Sequence, residues 1–250
     1  MQINPPFGYS EIVPLSKDGR VRLPAVGEVP AFCRRANAVP ISFSEFAVAC
    51  RDYPLAFVSM DAEVSYSPVA VLGVAEGENL FLREGRWEDS VYFPAYLRRY
   101  PFCMSRVTLN SVEQADRLIC VEKAALANDG ERMFDDAGVP LPRWQPIEKL
   151  LRDYEADIER VREMCAILAD YKLFEPFTLQ ASLKGGTMSF GGMHRVDERK
   201  LEFLNSAQHK TLIRKGIMGR IYAHLMSLDN FARLIARKDT PGTATQSGRG

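Results

Sequence analysis

Residues 53–109 constrain the fold more than any other stretch of the chain. They contain Tyr53-Pro54-Leu55-Ala56-Phe57-Val58, then Ser67-Pro68-Val69-Ala70-Val71-Leu72-Gly73-Val74, then Glu78-Asn79-Leu80-Phe81-Leu82-Arg83, and they end in Tyr100-Pro101-Phe102-Cys103-Met104 through Leu109. Each apolar run is short and punctuated by Pro or Gly, as in adjacent strands joined by tight turns. The nearly continuous run 67–74 predicts a strand covered on both faces, and so a central one. Turns at Glu76-Gly77-Glu78 and Glu84-Gly85-Arg86 supply glycine where a tight antiparallel connection needs positive φ. Leu80 and Leu82 share one face of the next strand and Phe81 takes the other. A β-meander is the economical reading.

After the opening turns the chain has one long helix. From Pro146 onward, Ile147, Leu151, Tyr154, Ile158, Val161, Cys165 and Leu168 recur at alternating spacings of four and three, a heptad seam over roughly 26 residues and nearly 40 Å. A narrow seam with charged flanks can pack on the sheet or pair with a second copy as a homodimer through residues 147–171; the intramolecular option needs no partner. Phe177 to Leu183 then alternates apolar and polar, predicting a strand with one wet face at a sheet edge. Gly185-Gly186 and Gly191-Gly192 mark a hairpin or a close backbone approach. The remainder reads as helices, with Asp197, Ser206 and Asp229 as caps and a break at Gly216.

Residues 1–40 hold six of the fifteen prolines and predict an extended arm. Ser42 and Glu45 have capping-box spacing, with Phe43, Phe46 and Cys50 on one helical face. The expected organisation is an arm over 1–40, a single domain over 41–239 and a disordered tail over 240–250.

Thirty-two basic residues balance thirty-two acidic ones, so no global positive field for gripping nucleic acid exists. No run reaches the roughly 18 to 20 apolar residues that a bilayer span needs, and no secretory signal is visible, so the expectation is cytoplasmic. The five widely spaced cysteines read as buried free thiols. His194, His209 and His224 lack the spacing that puts two metal ligands on one helix face, and the acidic turns of 128–138 do not follow the calcium-loop order. No metal or cofactor is expected. No phosphate loop and no nucleophile elbow occurs.

One patch stands out. Trp87, Tyr92, Tyr96 and Tyr100 lie beside Arg98 and Arg99, and rings next to guanidinium groups suit a planar or anionic ligand. The alternative is a short helix with its tyrosines buried and its arginines solvated. His224, inside Ile221-Tyr222-Ala223-His224-Leu225-Met226-Ser227-Leu228, reads as a satisfied core histidine.

Asn79-Leu80-Phe81-Leu82 with Gly85 and Trp87, then Phe93-Pro94-Ala95-Tyr96-Leu97-Arg98-Arg99-Tyr100-Pro101-Phe102, resembles the bacterial SapC family. His194 to Leu201, Gly216 and Ile221 to Asn230 extend the resemblance toward the C-terminus. It implies an association with a surface-layer locus, with peptide or drug transport, and with halogenase-like flavoproteins or a TonB-dependent receptor system as companions. A transporter label conflicts with a chain that has no membrane span. The resemblance brings no catalytic residues.

The expectation is an α+β fold: an antiparallel sheet packed against the long helix and a C-terminal helical cluster. For function the leading reading is a non-catalytic accessory or binding protein for a peptide or partner enzyme, with the 87–102 patch as its surface. The alternatives are an enzyme in which Arg98, Arg99, His194 and His224 converge, and a surface-layer protein.

Overall fold

The computed structural model describes residues 2–59, 65–109, 112–183 and 186–239; the expected tail at 240–250 and Gly185 of the glycine turn lie outside them. In chain order the first strands are β1 (Gln2–Ile3), β2 (Ile12–Pro14), β3 (Arg20–Val21), β4 (Ala38–Pro40), β5 (Leu55–Ser59) and β6 (Tyr66–Val71). Next come β7 (Leu82–Arg83), β8 (Arg86–Trp87), β9 (Phe102–Leu109), β10 (Val112–Glu122), β11 (Glu131–Arg132), β12 (Phe174–Leu183) and β13 (Gly186–Val196). The helices are α1 (Phe46–Ala49), α2 (Ala95–Arg98), α3 (Trp144–Asp170), α4 (Ser206–Arg214), α5 (Ile217–Ser227) and α6 (Asn230–Asp239). The fold is α+β, with antiparallel sheets, one long helix and a C-terminal helical cluster.

The single meander is corrected. A five-stranded sheet runs β12-β13-β5-β6-β4, while β9 belongs to a second, four-stranded sheet of order β1-β9-β10-β2. Between them, β7 and β8 make a separate two-residue hairpin, Leu82 opposite Trp87 and Arg83 opposite Arg86. Its loop residues Glu84 and Gly85 both have positive φ, 53° and 77°, the mirror-image turn that matches strand twist. The reason for the split lies at Gly73. A Cβ there would stand 2.3 Å from the Glu78 carbonyl oxygen, so the chain doubles back onto its own backbone after β6 and leaves the sheet. Strand β6 nevertheless sits inside, paired with β5 and β4, and Val69 to Val71 are buried.

Helix α3 packs against β6 of one sheet and β9 of the other, so the rod joins the two. It begins two residues before Pro146, which lies in the first turn where its missing N–H has no partner to lose. Leu151, Tyr154, Val161, Cys165 and Leu168 of the expected seam are buried and Ile147 and Ile158 half-buried, all against their own chain. Each fully buried apolar side chain of this kind contributes about 2 kcal/mol.

The 1–40 segment pairs with both sheets: β1 with β9, β2 with β10 and β4 with β6. Tyr9, Ile12, Val29, Cys33 and Val39 enter the main core. A smaller second core forms from Val21, Phe102, Val121, Ala125, Met133, Trp144 and Leu151. The expected edge strand is β12, whose Phe177 and Leu179 are half-buried while Thr178 and Gln180 face out. In the C-terminal cluster Asn205 rather than Ser206 caps α4, in a reciprocal box with Gln208, and Gly216 at φ 70° separates α4 from α5.

Candidate functional site

A cleft of about 500 Å3 opens where α3 passes the 42–48 and 92–98 segments. Its inner wall follows from the capping box at Ser42 and Glu45. The Glu45 carboxylate, buried, accepts from the Ser42 N–H at 2.9 Å, the Tyr92 hydroxyl at 3.0 Å and the Ala95 N–H at 2.6 Å. Cap and short helix α2 are thus fixed by one side chain. The Tyr92 hydroxyl in turn accepts from Arg98 Nη2 at 2.9 Å, and the Arg98 guanidinium lies 5.6 Å from that ring's centroid. Burial, then the Glu45 charge, pushes the Tyr92 phenol above its ordinary range, so it remains a proton donor to the carboxylate. Arg98 is exposed and makes no ion pair among the described residues.

The outer wall comes from α3. Asp157 accepts from the Ser42 hydroxyl at 3.1 Å, the Ser44 N–H at 2.9 Å and the Ser44 hydroxyl at 3.0 Å, and pairs with Arg160 at 3.2 Å. The Arg160 and Arg220 guanidiniums stand 3.9 and 4.2 Å from the Phe43 centroid. Burial and then the Arg160 charge hold Arg220 below its ordinary range. Leu150, Val48 and Tyr154 give the cleft an apolar floor. In the sequence Glu45 reads only as a cap and the α3 flanks only as charged, so this wall was missed. Its trace was the second stripe Asp153, Asp157, Arg160, spaced four and three beside the seam.

The remaining patch residues are not at the cleft surface. Trp87 is buried against Tyr53, Phe81 and Phe93. Tyr96 is buried and donates its hydroxyl to the Phe7 carbonyl; Tyr100 is half-buried with its ring 5.4 Å from Tyr9. Arg99, expected solvated if α2 were merely structural, is 4% exposed. Its guanidinium lies 4.4, 4.6 and 5.7 Å from the centroids of Tyr96, Tyr154 and Tyr9, with Glu155 at 3.7 Å. Glu155 also pairs with Arg117, which holds Glu159 at 2.5 Å. Burial pushes the Glu155 carboxyl up, and Arg117 followed by Arg99 pulls against it. Stacked rings and a shared carboxylate are the environment a planar guanidinium tolerates when dehydrated.

His224 has no exposure at all. Extending the register Met193 to Val58 and His194 to Phe57 by two places would set Val196 opposite Leu55. The imidazole occupies that rung: Nδ1 donates to the Leu55 carbonyl at 2.8 Å and Nε2 accepts the Val196 N–H at 3.1 Å. The two partners assign the neutral Nδ1–H tautomer. Burial pushes its pKa down to about 4. Ser227 accepts the Leu55 N–H at 2.9 Å, and Asn230 donates to the carbonyls of Cys50 at 2.8 Å and Tyr53 at 3.1 Å. The His224 to Asn230 block therefore terminates the sheet. His194, on β13, is buried with its ring 5.0 Å from Tyr66. Arg98, Arg99, His194 and His224 do not converge: only Arg98 lines the cleft.

Among the described residues no group of His, Cys, Asp and Glu is arranged to hold a metal ion, and no helix is long and apolar enough to cross a membrane. No curated protein and no solved structure matches the chain. A family model does match, over residues 21–234, which takes in the five-stranded sheet, β9 and β10 of the four-stranded one, α3, the cleft and the His224 block. By that match, and with the resembling blocks now seen as sheet, cleft wall and sheet terminus of one fold, the chain belongs to the SapC family.

Proposed function

We propose that this protein is a non-catalytic binding or accessory protein that receives a segment of a polypeptide partner in the α3 cleft. The observation that carries the reading is Arg98: an exposed guanidinium, aimed by the Tyr92 hydroxyl and lacking an ion pair among the described residues, at the mouth of a cleft of about 500 Å3. The walls offer both signs of charge, Arg98 and Arg160 against Asp153, over the floor of Val48, Leu150 and Tyr154. A polypeptide segment can present an acidic side chain, a basic one and an apolar one within a few residues, which a small rigid metabolite does not. The dispersal of Arg98, Arg99, His194 and His224 favours binding over chemistry, because catalytic groups must meet at one reacting atom. A partner enzyme of the halogenase-like flavoprotein type, or a TonB-dependent receptor system, fits the family. With the α3 seam buried in its own chain, the reading needs no second copy.

The test is native mass spectrometry of complexes recovered from the host, comparing the wild type with Arg98→Glu and Arg160→Glu. Both side chains reach solvent, and circular dichroism of each variant checks that the fold is kept. A companion protein held by the wild type and lost from both variants is the expected result. A companion retained by both removes the cleft from the interaction.

A further inference from the structure

The second core is not closed. Where β9, β10 and the start of α3 meet the 134–140 loop, a separate cleft of about 510 Å3 enters it. Its floor is apolar: Leu15, Met104, Ile119 and Phe134 all pack against the second core and all line the opening. Leu118 at the rim is 42% exposed. The charges at the rim are unequal, with Lys17, Arg117 and Arg152 against Glu148. Two of these cations are already engaged, Arg117 by Glu155 and Glu159, and Arg152 by Glu148 at 2.6 Å. Lys17 makes no ion pair among the described residues, and its side chain lies across Gly138, where a Cβ would meet Lys17 Cδ at 2.9 Å. The opening therefore combines an apolar floor with one spare positive charge.

We propose that this cleft binds a small monoanionic amphiphile, a carboxylate with a flexible apolar body, independently of the α3 cleft. The volume is that of a ligand pocket for a compound of this size. The apolar body lies along Leu15, Met104, Ile119 and Phe134, and the carboxylate meets Lys17 at the wet rim. A dianion would leave one charge beside Glu148. A neutral chain would forgo the ion pair.

The chain has two tryptophans, Trp144 lining this cleft and Trp87 buried in the main core, so their indole N–H signals in 1H–15N NMR report separately. Octanoate and octanamide are titrated into the full-length protein. Octanoate should shift the Trp144 signal saturably, leave Trp87 in place and bind roughly three- to fivefold more tightly than octanamide, the range of a partly exposed ion pair. That preference should vanish in Lys17→Ala and shrink in high salt. Leu118→Glu, at an exposed position, should weaken both probes. The proposal is overturned if neither probe gives a saturable Trp144 shift, if both indoles shift together without saturation, or if Lys17→Ala keeps the preference.

Discussion

At the scale of single residues, the fully buried imidazole of His224 holds backbone. His224 stands in for a rung of the sheet, and truncating it leaves the Leu55 carbonyl and Val196 N–H buried without partners. His224→Ala should cost about 3 to 5 kcal/mol, read as a lower denaturation midpoint with an unchanged slope. The same residue sets a pH dependence. Its folded pKa, about 4, is below the ordinary 6.5, so on acidification the unfolded chain takes the proton first. The stability that His224 contributes is complete above pH 6.5, declines as the pH falls and is lost by about 4, a change on the order of 3 kcal/mol. Urea titrations from pH 7 to 4 should show this decline in the wild type and a shallower one in His224→Ala. Equal slopes would mean that another group titrates. The core reading of His224 was legible from its apolar helix. Its position between Leu55 and Val196 was not, because the three residues are separated by 28 and 169 positions.

At the scale of elements, local chemistry was readable where a turn or cap depends on neighbours in sequence. The Ser42–Glu45 box, the Glu84–Gly85 turn and the α3 seam are of this kind. Gly73 and Gly85 look alike in sequence and differ in structure. Gly85 has φ 77° with open space around it, whereas a Cβ on Gly73 meets the Glu78 backbone at 2.3 Å. Gly85→Ala should therefore cost about 1 to 2 kcal/mol from the left-handed conformation alone. Gly73→Ala must displace backbone and should cost more, about 2 to 4 kcal/mol by thermal melting. Reversal of that order would show that the 74–78 loop yields easily. The meander failed at this same point: adjacency of strands in sequence does not specify that the chain stays in one sheet.

At the scale of the whole molecule, α3 and the N-terminal segment bind two sheets into one body. The segment is a structural member: Tyr9 donates to the Phe102 carbonyl at 2.8 Å, and the buried Glu122 carboxylate accepts from the N–H groups of Ser10 at 2.9 Å and Glu11 at 3.1 Å. It also helps cover Cys103 and Cys120, whose thiols burial pushes up to about 12 and about 11. In the intact protein Cys50 is the thiol least buried, so disulfide-exchange labelling should proceed fastest there. Deleting residues 2–15 should make Cys103 and Cys120 reactive and lower the melting temperature; unchanged labelling would mean that the sheet closes without the segment. By itself the sequence determined what short-range periodicity can carry: an α+β chain, the long helix and its buried face, the edge strand, the core histidine, and the family. Only the tertiary structure decided how the strands divide between two sheets, that Arg99 is dehydrated among tyrosines while its neighbour Arg98 faces a cleft, and that Glu45 and Asp157 build that cleft's walls. Adjacent residues on a short helix differ by about 100° in direction, so which of two arginines meets water depends on what packs against the helix, and those partners, Tyr9 and Tyr154, lie far away along the chain.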